Sequence, residues 1–142
     1  MTLTNIAVGL FLSFYWNGWE MVSFHRNLDP VDQPGYLEKS KFHVIFSAIF
    51  WPFVAWLNGE LWWFFVCFIS KAVVYTFLFW ALVELMESTM LAVALIAIAR
   101  VVPLSSIVIT FPAAVLASLI WMVIAKPMGA RPPTGMINPE SD

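Results

Sequence analysis

The residue in this sequence with the clearest capacity for chemistry is Lys71, which sits in the apolar run Val66-Cys67-Phe68-Ile69-Ser70-Lys71-Ala72-Val73-Val74. A lysine near the middle of a hydrophobic helix costs about 3 kcal/mol on insertion scales, so by default it marks an interior ion pair or a path for ions or protons. Glu84, Glu87, Glu60 and Glu20 are its candidate partners. Glu84 and Glu87 stand at i and i+3, on one face of any helix that continues through them, and carboxylates so paired can bind a cation or relay a proton. Arg100, beside Pro103, supplies a second cation. Lys71, Glu84, Glu87 and Arg100 form the candidate charge network. The competing interpretation is structural: an ion pair at Lys71, with the two glutamates and Arg100 as anchors at the ends of helices.

The remaining reactive side chains point to no reaction. His25 and His43 flank one polar connector, and no His, Cys or carboxylate spacing around them matches a zinc motif. Cys67 is the single cysteine, so no internal disulfide forms, and a lone cysteine in an apolar run behaves as a small hydrophobe. No nucleophile elbow, phosphate-binding glycine loop or dinucleotide fingerprint is present. The chain is read as having no catalytic residues, no metal site and no cofactor, with bound lipid compatible with its composition. The balance of seven basic and nine acidic residues lacks any basic patch, which argues against nucleic acid.

Composition dictates the elements that must position these groups. Of 142 residues, 61% are hydrophobic and only 11% charged, and the mean hydropathy is +0.84. A water-facing domain carries about 25% charged residues, so most of this surface is expected to face hydrocarbon. Lipid admits helices or closed barrels, and the long apolar runs lack the alternation of barrel strands. The expected fold class is an all-α integral membrane protein, a polytopic helical bundle without a soluble domain. Its apolar runs place spans near residues 6–24, 42–57, 61–83, 85–102 and 104–125, about five in all, with four as the alternative if 85–102 does not cross. A polar connector covers 25–41, Asn58-Gly59-Glu60 marks a turn, and 126–142 is a proline-rich polar tail. The N-terminus has no Lys or Arg before its apolar stretch, so that stretch reads as a retained span.

Arg26, Lys39 and Lys41 in the connector and Lys126 and Arg131 in the tail favour one cytoplasmic side for both. Five spans satisfy this with the N-terminus outside and the C-terminus cytoplasmic in the cell inner membrane. Trp16, Trp19, Trp51, Trp56, Trp62 and Trp63 cluster toward span ends, as an aromatic belt does. Small residues at helical spacing (Gly9 with Ser13, Ala113 with Ala117, Ala114 with Ser118) allow close helix approach and are candidate docking faces for another subunit. The expected function is a non-catalytic accessory or scaffolding subunit of a larger membrane complex, partnered by other integral membrane subunits and by lipid. The alternative is a small homo-oligomeric channel or transporter using the intramembrane charges.

Overall fold

The computed structural model describes residues 1–28, 45–46, 48–57 and 59–131. Among the described residues every regular element is helical. Helix α1 covers Leu3–Leu28, the short α2 Trp51–Leu57, α3 Leu61–Met86, α4 Thr89–Val101 and α5 Pro103–Ile120. A π-helical turn, Trp121–Ala125, continues α5. The expectations for His25, His43, most of the connector and the end of the tail fall outside the described residues or side chains.

Two helices are long and apolar enough to cross a membrane: α3 and the continuous stretch Pro103–Ala125. At about 1.5 Å per residue, their 26 and 23 residues reach about 39 and 34 Å, against a hydrocarbon core of about 30 Å. Helix α1 is also 26 residues long, but Asn5, Ser13, Asn17 and Glu20 interrupt its apolar character. Helix α4 has 13 residues, about 20 Å, too short for a full crossing by length.

Local chemistry sets the boundaries. Gly59, at φ 72°, turns the chain from α2 into α3, a backbone conformation that glycine adopts without steric cost. Glu87 closes α3 in the left-handed region at φ 53°, its N–H donating to the Val83 carbonyl at 2.8 Å. Ser88 then caps α4 by accepting from the Leu91 N–H at 3.3 Å. Val102 is extended (ψ 119°) ahead of Pro103, which opens α5; a residue before proline is pushed out of the helical region, and this separates α4 from α5.

Helices α1 and α3 run antiparallel along one close seam. Asn17 donates to the Phe64 carbonyl at 2.9 Å, Ser13 donates to the Phe68 carbonyl, and Gly9 abuts Thr76. A Cβ at Gly9 would lie 2.0 Å from Thr76 Oγ1 and 2.8 Å from its backbone nitrogen, so only glycine permits this approach. Helix α5 also opposes α3: Ile109 shares a core with Tyr75 and Phe79, Ala117 and Ala125 share one with Val66, and Trp121 meets Trp63 edge-on at 5.6 Å.

This order corrects the expected span list. With alternating spans at 6–24, 42–57 and 61–83, the first and third would run the same way. They run oppositely, so the chain between them returns to the end from which it left, and 42–57 is not a full crossing. Its described part instead packs against α1 and the first half of α3. Trp51, 2% exposed, donates from Nε1 to the Phe14 carbonyl at 3.1 Å and lies among Phe14, Phe64 and Phe68. Trp51 is therefore a core side chain rather than part of a belt, whereas Trp56 and Trp62 are exposed. Gly18 allows the contact, since a Cβ there would sit 1.9 Å from the Ala48 carbonyl oxygen.

Candidate functional site

The site grows out of one stripe on α1. Asn5, Gly9, Ser13 and Asn17 recur every fourth residue, which places them on one face, and Glu20 continues it one turn later. All but Glu20 are buried. Gly9 and Ser13, expected as a face for another subunit, are occupied within the chain by α3.

At the end of this stripe the charges converge on Glu20. Lys71 of α3 and Arg100 of α4 each form an ion pair with it, one at either carboxylate oxygen. Lys71 also donates to Asn17 Oδ1 at 2.9 Å. Arg100 donates to Thr110 Oγ1 of α5 at 3.1 Å and lies over the Trp16 ring, 5.5 Å from its centre, within cation–π range. The side chains of Lys71 and Arg100 are 12% and 17% exposed, and that of Glu20 37%. One carboxylate thus joins α1, α3 and α4, and Arg100 extends the network to α5.

Of the four network residues inferred from sequence, Lys71 and Arg100 meet here, while Glu84 and Glu87 are exposed at the far end of α3. Thirteen residues separate Lys71 from Glu84 on the same helix, about 20 Å, which neither side chain spans. The shared face of Glu84 and Glu87 is also lost, because α3 stops at Met86 and Glu87 turns away in its left-handed conformation. Glu20 was only one of four candidate partners by sequence, and its position on the buried α1 stripe is what selects it.

Beside the ion cluster lies a cavity of about 220 Å³ between α3 and α5. Helix α3 contributes Trp63, Cys67, Lys71 and Tyr75, a second i+4 series. Helix α5 contributes the small residues Ala113 and Ala117, both buried, with the exposed Ala114 and Ser118 at the outward edge. The void exists because α5 places methyl groups where larger side chains would fill it. The Tyr75 hydroxyl has no hydrogen-bond partner although the residue is 0% exposed. An orphaned buried hydroxyl costs about 1–3 kcal/mol. Tyr75 is the site residue that sequence reasoning missed; its signal is the position one turn beyond Lys71. Among the described residues no three His, Cys, Asp or Glu side chains gather as a metal would require.

No protein-family model matches this chain, and neither a curated protein nor a solved structure is detectably similar to it.

Proposed function

We propose that this chain is a multi-pass protein of the cell inner membrane, crossing three times through α1, α3 and α5, and that it serves as a non-catalytic accessory or scaffolding subunit of a larger membrane complex. The observation that carries this reading is the closed charge cluster. Lys71, Arg100 and Glu20 bind one another and tie four helices together, which is a structural use of intramembrane charge. Beyond the cluster the outward surface is strongly apolar, with Leu104, Val108, Phe111 and Val115 of α5 exposed. Small residues at Ala114 and Ser118 leave one strip of α5 open to close approach by a neighbouring helix.

The test is cross-linking in native membranes. Cysteine at Ser118 or Val115 should cross-link to a different polypeptide that also comigrates with the chain in blue-native electrophoresis, and cysteine at the buried Ala117 should not. A particle containing only copies of this chain would overturn the accessory reading. If Lys71→Met then altered ion flux in reconstituted vesicles, a homo-oligomeric channel would replace it.

A further inference from the structure

We propose that the cavity between α3 and α5 binds a single oxyanion carried on an apolar chain, held by Lys71, Arg100 and the Tyr75 hydroxyl. The chemistry is that of an amphiphile with one negative charge: a fatty-acid carboxylate or the phosphodiester of an anionic lipid.

Charge counting gives the first reason. The cluster contains two cations and one carboxylate, a net charge of +1, and Glu20 is the sole acid lining the cavity among the described residues. An uncompensated charge in a low-dielectric interior is costly, and one bound anion neutralises it. A metal cation would instead face Lys71 and Arg100.

Hydrogen-bond capacity gives the second reason, independent of charge. Lys71 has three donors and directs two, to Asn17 and Glu20. Arg100 has five and directs two, to Thr110 and Glu20, while the Tyr75 O–H directs none. What the cluster leaves open is donor capacity, converging from α3 and α4 on one cavity. An oxyanion supplies the acceptors that these groups lack.

Shape decides the rest of the ligand. Trp63, Cys67, Ile109, Ala113 and Ala117 make the walls apolar, and Ala114 and Ser118 open the cavity toward the outside of the bundle. Sites for whole drug-sized ligands run to about 300–1,000 Å³. A cavity of about 220 Å³ accommodates the head and the first part of a chain, whose remainder lies along the groove between α3 and α5.

The full-length chain, purified in a neutral detergent, should be tested by native mass spectrometry and thermal unfolding with oleate, oleyl alcohol, dioleoyl phosphatidylglycerol and inorganic phosphate. An anionic amphiphile should give a one-to-one adduct and raise the unfolding temperature, whereas oleyl alcohol and inorganic phosphate should do neither. Oleate giving the larger shift assigns a free carboxylate, and phosphatidylglycerol giving it assigns a lipid phosphodiester. Tyr75→Phe removes one hydrogen bond to the anion and should weaken binding about tenfold or more, while the ligand-free protein stays at least as stable. Ala113→Leu fills the cavity and should abolish the adduct while the helical content is retained. Absence of any adduct with both anionic amphiphiles overturns the proposal. So does equal binding of oleyl alcohol, equal binding of inorganic phosphate, or unchanged affinity in Tyr75→Phe.

Discussion

Replacing Glu20 by Gln keeps the shape of the side chain but leaves Lys71 and Arg100 facing each other without a counter-charge. Breaking a buried ion pair from one side typically costs about 3–5 kcal/mol. Glu20 is 37% exposed, so the lower end, about 3 kcal/mol, is expected. Lys71→Met acts in the opposite sense on the charge balance, because it leaves Glu20 and Arg100 as a neutral pair. Its cost reduces to the hydrogen bond lost at Asn17, about 1 kcal/mol. Reversible unfolding of both variants in detergent measures this asymmetry, and equal losses would show that the cluster carries no excess positive charge. At this scale the sequence was informative about the cations and silent about their anion. Lys71 and Arg100 stand out because charge is rare in their surroundings, whereas Glu20 follows Asn17 and Gly18 near one end of its apolar run and resembles an interfacial residue. Only the recurrence of Asn5, Gly9, Ser13 and Asn17 at every fourth position distinguishes it.

Helix α1 owes its position to backbone contact rather than to apolar side chains. Its buried stripe is small and polar, and its hydrogen bonds run from side chains to α3 carbonyls. Gly9→Val should therefore be far more damaging than its size implies. The added atoms collide with the Thr76 backbone, which cannot rotate aside as a flexible side chain would, and overpacking of this kind costs about 1–3 kcal/mol or more. Ala7→Val, on the exposed face of the same helix, changes the same volume and should alter stability by less than about 0.5 kcal/mol. Thermal unfolding of the two variants side by side separates packing against α3 from general effects on helix propensity; similar losses in both would count against the tight seam. The elements themselves were readable to different degrees. The runs that became α3 and α5 are long, apolar and bounded by Asn58-Gly59 and Pro103, so composition and punctuation locate them. The run at 42–57 has the same composition but a different role, since Trp51 inserts among Phe14, Phe64 and Phe68. Hydropathy records that a segment avoids water and is blind to whether protein or lipid provides the shelter. The 85–102 run was misjudged for a related reason: its apolar residues continue past the break imposed by Glu87 and Ser88, and the helix that remains has 13 residues.

The antiparallel seam between α1 and α3 fixes the course of the whole chain. The end of α1, the start of α3 and the end of α5, where Trp121 meets Trp63, lie at one end of the molecule, and the N-terminus and the Glu87 turn lie at the other. Arg26, Lys39, Lys41, Lys126 and Arg131 are then brought to the same side by two crossings, α3 and α5, where the sequence was read as needing four. The positive-inside tendency is satisfied equally by both topologies, so basic residues alone cannot choose between them. Two short segments can. With the N-terminus outside, five alternating spans put Leu57 outside and Glu87 inside, whereas three passes put Leu57 inside and Glu87 outside. Leu57 and Glu87 are both exposed, so each accepts cysteine without disturbing the core, in a Cys67→Ala background that removes the native thiol. A membrane-impermeant maleimide applied to intact cells should label Glu87→Cys and Thr2→Cys, and should reach Leu57→Cys and Lys126→Cys only after the membrane is opened. Labelling of Leu57→Cys from outside, with Glu87→Cys protected, would restore the five-span order and with it the parallel arrangement of α1 and α3. That arrangement cannot carry the hydrogen bonds from Ser13 to Phe68 and Asn17 to Phe64 together, because in parallel helices the partner of the later residue must also come later.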